Sequence, residues 1–161
     1  MKIKLIVVGK IKENYYRNLI NEYISGVNKY KNIELIEVKD EPIPQNANES
    51  QQNAVKSEEG KRILSHINFN DYVVALCIDG KSANQKTLVD ILKKRQENCV
   101  QSVTFIIGGS LGLCDDVIKR ANYKMSFSKM IIIASAHGNY HIDHKIMLRI
   151  WICKINFCNI F

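Results

Sequence analysis

The sequence predicts an α/β protein with a mostly parallel sheet flanked by helices. Short runs rich in β-branched residues recur at 3–8, 33–38, 71–78 and 102–109. Longer segments with apolar residues at helical spacing separate them. Most of the short runs are apolar on both faces, which strands require when helices cover both sides of a sheet.

IKLIVV (3–8) reads as a buried strand ended by Gly9, and residues 12–30 place Tyr16, Leu19, Ile20, Tyr23 and Ile24 on one face of a helix. IELIEV (33–38) alternates apolar and polar residues as a second strand does. The polar stretch KDEPIPQNANESQQN holds both prolines and leads, as a surface loop, into a helix near Gln51–Ile67. DYVVALCI (71–78) is a third strand closed by the turn pair Asp79-Gly80, and a helix over Ser82–Gln96 turns Leu88, Ile91 and Leu92 inward. SVTFIIGG (102–109) is a fourth strand; GLCDDVIKRANY begins another helix, and a short strand follows in MSFSKM. In such a sheet a ligand belongs beyond the carboxyl ends of the strands. The loops after Ile78, after Ile107 and after MSFSKM are therefore the places to look.

At 161 residues the chain, 1–161, is expected to form a single domain able to bury a core, and 46% hydrophobic with 24% charged residues argues against disorder. A net charge of +7 leans toward an anionic partner such as RNA. The apolar run near the amino terminus is too short for a signal peptide or a membrane span. The apolar segment 145–161 contains Lys145, Arg149 and Lys154, so no membrane association is expected. Five cysteines without a CxxC pair fit free thiols in a reducing cytoplasm.

IIGGSLG (106–112) runs from a strand through glycines into a helix. Glycines there let a backbone approach a ligand, or simply make a tight turn, and the two readings stand equal. The segment is neither GxGxxG nor a P-loop. CIDGKS (77–82) sets Asp79 and Lys81 at a strand end, where a plain turn is the first reading and a phosphate contact for Lys81 the second. His137, His141 and His144, with Asp143 among them, look like zinc ligands. Gly138 weakens the helix that would align them and no HExxH glutamate is present, so surface histidines are the expectation and no metal is assigned. His66 stands alone near a helix end.

Taken in order, MKIKLIVVGKIKENYY, YKNIELIEVKDE, KSEEGKRIL, VVALCIDGKS, FIIGGSLGL and ANYKMSFSKM resemble the ribosomal RNA large subunit methyltransferase H family of the SPOUT class. The resemblance runs from Met1 to Met130. It implies transfer of a methyl group from S-adenosyl-L-methionine to N3 of a pseudouridine in 23S rRNA of the ribosome, by a cytoplasmic homodimer. It also implies a C-terminal trefoil knot, a rare exception to unknotted topology. By resemblance the cofactor is held by Leu76, by Gly108 with Gly109 and Ser110 beside it, and by Phe127, Ser128, Lys129, Met130, Ile131 and Ile132. No catalytic residue is assigned.

After Met130 the pattern departs. Family members continue with a Thr-hydrophobic-Pro-His-Gln segment, then a helix carrying an Arg and a Glu-Gln pair, and end near Tyr-His-Lys. Here the chain reads IIIASAHGNYHIDHKIMLRIWICKINFCNIF. Its bias toward Ile, Asn, Lys, Phe and Cys is that of AT-rich DNA read in an unselected frame, which predicts a frameshift near codon 131. The alternative function is thus an inactive, frameshifted or truncated remnant that keeps an α/β RNA- or ribosome-binding fold.

Overall fold

The computed structural model describes residues 1–29 and 31–126. Its elements, in chain order, are β1 (Lys2–Val8), α1 (Asn14–Asn28), β2 (Ile33–Val38), α2 (Glu49–Leu64), β3 (Tyr72–Ser82), α3 (Gln85–Glu97), β4 (Ser102–Ile107), α4 (Asp115–Arg120) and β5 (Tyr123–Ser126). The five strands form one sheet in the order β2-β1-β4-β3-β5, and every pairing is parallel. The expected α/β class therefore holds, with a sheet that is wholly rather than mostly parallel over the described residues.

Two apolar clusters sandwich the sheet. On one face Leu5, Val7, Val103 and Phe105 meet Val27 of α1 and Leu88 and Leu92 of α3. On the other, Ile6, Val8 and Ile106 meet Ile63 of α2 and Val117 of α4. Alternate residues of β1 thus serve opposite layers, as the two-residue repeat of a strand dictates. The assignment of helices to faces follows from right-handed crossovers: β1 to β2 and β3 to β4 move one way along the sheet, β2 to β3 and β4 to β5 the other.

Element bounds differ from expectation where local caps decide them. α2 begins earlier than Gln51 because Asn48 accepts from the Gln51 amide at 2.9 Å while the Gln51 side chain accepts from the Asn48 amide at 3.0 Å, a reciprocal capping box. Asn84 and Thr87 form the same device at the start of α3, which excludes Ser82 from that helix. The larger correction concerns β3, which does not close at Asp79-Gly80: the chain bulges there and resumes pairing with β5 at Lys81 and Ser82. β4 ends at Ile107, leaving both glycines that follow outside the strand. No helix among the described residues is long and apolar enough to cross a membrane. The knot and the tail expected after Met130 lie outside the described residues.

Candidate active site

The carboxyl ends of β4, β3 and β5 are adjacent at one edge of the sheet. Leu76 is the pivot: it stands in register with Ile107 on one side and Met125 on the other. It is 8% exposed, while Ile107 and Met125 are essentially inaccessible. Beyond it four residues, Cys77, Ile78, Asp79 and Gly80, leave the β3–β5 register, because Leu76 and Lys81 both align with Met125. Pairing then resumes, with the Ala83 amide donating to the Ser126 carbonyl at 2.8 Å. A bulge of this kind re-aims main-chain groups at a strand end.

Gly80 is demanded by that arrangement, since a Cβ there would stand 2.5 Å from the Met125 carbonyl carbon. Ile78 is exposed on the bulge. Lys81 lies over the Tyr123 ring, 5.9 Å from its centroid, so its charge faces an aromatic neighbour. Burial pushes the Cys77 thiol up from its ordinary value; the Asp79 carboxylate adds to this and Lys124 opposes it. Cys77 is accordingly a neutral thiol at pH 7, poorly suited to act as nucleophile or base.

The second loop, after β4, folds on itself. Gly109 and Gly112 pair as an isolated antiparallel bridge, with the Gly112 amide donating to the Gly109 carbonyl at 3.1 Å. Gly112 has φ +86°, the left-handed region that glycine adopts without cost. A Cβ on Gly108 would come within 2.8 Å of the Gly112 carbonyl group. The bareness of Gly108 is thus used by the loop itself, which is the tight-turn reading. A Cβ on Gly109 would meet the Glu59 carboxylate of α2, and one on Gly60 would meet the Cys114 sulfur. The helix therefore lies directly against this loop.

Of the expected cofactor residues, Leu76 stands where β3 begins to bulge, and Gly108 directly follows Ile107, the register partner of Leu76 at the end of β4. Met125, near the end of β5, aligns with Leu76 from the other side. Phe127, Ser128, Lys129, Met130, Ile131 and Ile132 lie outside the described residues, as do His137, His141 and His144. Among the described residues no group of three or more His, Cys, Asp or Glu side chains is placed to hold a metal. His66 has left α2 by one residue beyond its C-cap, and its carbonyl accepts from Lys4 Nζ at 3.4 Å.

Sequence reasoning missed Glu59 and its partners. The available signal was a glycine inside a helix, Gly60, which costs about 1 kcal/mol against alanine and so marks a close approach.

Comparison with known proteins matches residues 1–135 to a family described as "Predicted SPOUT methyltransferase". Curated relatives named "Ribosomal RNA large subunit methyltransferase H" include one from Clostridium botulinum (strain Kyoto / Type A2), 44% identical over 130 residues. Another, from Clostridioides difficile (strain 630), is likewise 44% identical over 130 residues, each alignment covering 81% of this chain and 82% of the relative. A third, from Oenococcus oeni (strain ATCC BAA-331 / PSU-1), is 39% identical over 132 residues, 82% of both chains. With the family match spanning most of its length and a parallel sheet of the expected kind, the chain belongs to the SPOUT methyltransferase family.

Proposed function

We propose that this chain is an rRNA methyltransferase that transfers a methyl group from S-adenosyl-L-methionine to N3 of a pseudouridine in 23S rRNA. The observation that carries the reading is the alignment of Leu76, at the β3 bulge, with the end of β4 just before Gly108 and with Met125 near the end of β5, on adjacent strands of a parallel sheet. The residues present fit such a cofactor. Leu76 offers a narrow apolar edge, the 77–80 bulge carries main-chain donors and acceptors outside the β3–β5 register, and the Gly108–Gly112 loop presents bare backbone. A purine with its ribose is recognised by apolar surface and a few placed polar groups of this type. Leu76, Gly108 and Phe127 through Ile132 are the residues proposed to hold it.

When bound, the cofactor supplies an electrophilic methyl sulfonium, so the protein's own work is orientation and acceptance of the imide proton. The bulge and the glycine loop fix position through backbone, with little side-chain entropy to lose. Cys77, whose thiol burial pushes up, is not proposed as the acceptor of that proton. We further propose a single domain over 1–161, a homodimer, a cytoplasmic site of action, and the excess of positive charge as the means of approach to the ribosome.

A second reading, a remnant that binds RNA without methyl transfer, is favoured by one observation: the curated relatives match over 130 to 132 residues and the family match ends at 135. Incubating the full chain with large subunits lacking the modification, in the presence of labelled methyl donor, separates the two. Label in 23S rRNA at a pseudouridine is the expected result. Subunit binding without label would overturn the enzymatic reading in favour of the remnant.

A further inference from the structure

α2 carries two consecutive glutamates with opposite fates. Glu58 points outward and pairs with Lys61 at 2.5 Å. Glu59, about 100° further round the helix, is 4% exposed and turns inward. Its Oε1 accepts from the Glu41 amide at 3.1 Å, in the loop that follows β2. The same carboxylate lies against Gly109, so closely that a Cβ there would force it to shift. One turn along, Arg62 pairs with the Glu41 carboxylate at 2.5 Å and donates to the Lys39 carbonyl at 3.0 Å. Gly60, between them, lets α2 press onto Cys114, just past the glycine loop. A carboxyl group that deep in a fold is costly unless its hydrogen bonds define a geometry that something else requires.

We propose that Glu59 is a positioning residue, which holds the 39–41 loop and the Gly108–Gly112 loop in one arrangement and so sets the backbone surface that receives the cofactor. The inference rests on the reading of that edge as a cofactor site, and it adds a residue to which neither family membership nor the relatives' names give a role. It acts through Gly109, without touching the cofactor itself. The coupling is steric on one side and hydrogen-bonded on the other. Glu59→Gln keeps the size but gives up one carboxylate oxygen, and Glu59→Asp draws the group back by one methylene.

The test uses the full chain and S-adenosyl-L-methionine as titrant in calorimetry, with thermal melts of each variant. Glu59→Gln is expected to weaken binding by about tenfold or more, the scale on which small displacements in a binding site act. Ile20→Val, buried in α1 against Ile11 and outside the cluster that holds Leu113 and Cys114, is the control for lost stability; it is expected to lower the melting temperature and leave affinity unchanged. Gly109→Ala should weaken binding as Glu59→Gln does, and Glu59→Asp combined with Gly109→Ala should recover part of the loss by vacating space for the new methyl. A merely structural glutamate would show no such recovery, and affinity would follow melting temperature through all four variants; that pattern would overturn the proposal. Amide exchange of residues 108–113 without cofactor keeps the two ideas apart. A wild-type chain that fails to bind sinks the cofactor reading and this proposal's link to it, whereas binding by wild type with unchanged exchange and affinity in Glu59→Gln sinks the proposal alone.

Discussion

Lys4 sits in β1 between Ile3 and Leu5, and its ammonium is buried 2.9 Å from Asp71 Oδ2, with side chains 9% and 3% exposed. Asp71 also accepts from the Ser102 hydroxyl, from the Thr104 hydroxyl at 3.1 Å and from the Asn68 amide at 3.0 Å. Arg120 secures the same turn from outside by donating to the carbonyls of Asn68, Phe69 and Asp71. Burial by itself would raise the Asp71 carboxyl; the hydrogen bonds from Ser102, Lys4 and the Asn68 amide, with the Lys4 charge, outweigh it and hold the group below its ordinary value. Asp71→Ala leaves the Lys4 charge buried without its counter-ion and should cost about 3–5 kcal/mol in urea unfolding, whereas replacing both partners by apolar residues should cost much less. Because the folded carboxyl titrates lower than the unfolded one, the pair's contribution is complete above about pH 4 and is lost as pH falls through the folded value. The stability difference between wild type and Asp71→Asn should therefore be flat from pH 6 to 8 and shrink in acid; a difference unchanged down to pH 3 would contradict it. A lysine inside IKLIVV signals a buried partner, but Asp71 lies 67 residues away and nothing local to either residue identifies it.

At the level of elements, the sequence places β1 to β4 and the four helices of the described residues. It misses that β5 begins at Tyr123, in a stretch read as helix, and errs elsewhere where caps or tertiary pairing override the local pattern. Asp79-Gly80 is a turn pair by its own chemistry, so ending β3 there is the sound local reading. The chain instead bulges and returns to pairing because β5 offers Met125 and Ser126 as partners, a choice made by a segment more than forty residues downstream. Gly80→Ala would drive a methyl into the Met125 main chain, which cannot swing aside as a side chain can. The expected outcome is a loss of about 1–3 kcal/mol, as for overpacked cores, with faster amide exchange at 81–83 and 123–126. Stability and exchange equal to wild type would mean that the bulge does not fix β5. Caps are more legible. Asn48, three residues before Gln51, announces the start of α2, and Asn48→Ala should lower stability by about 1 kcal/mol. α1 lacks such a device, since its N-cap Glu13 makes no side-chain bond to the helix, so Glu13→Ser should raise the melting temperature where Asn48→Ala lowers it.

For the molecule as a whole, composition and strand periodicity identify a covered parallel sheet, but not the order β2-β1-β4-β3-β5, which depends on how far each crossover carries the chain. Net charge is a property of the same scale, and the fold decides where it can act. α3 and α4 run back against the strands and put their last turns at the edge opposite the candidate site, where Lys94, Arg95, Lys119 and Arg120 stand. Two of these are already engaged there: Arg95 over the Tyr72 ring at 4.2 Å, and Arg120 with three carbonyls. Arg62 of α2 is likewise taken up, by Glu41. Lys10 and Lys12 instead leave the carboxyl end of β1, exposed, on a turn pinned by Arg17 donating to the Ile11 carbonyl at 2.7 Å. If approach to rRNA is electrostatic and directed at the site edge, these two lysines carry more of it than the larger number at the far edge. Binding to large subunits should then weaken roughly tenfold or more between 50 and 200 mM salt. The Lys10→Ala/Lys12→Ala pair should lower the slope of log affinity against log salt by about 2, one for each phosphate no longer neutralised. Equal slopes for wild type and the pair would move the RNA to another face of the sheet.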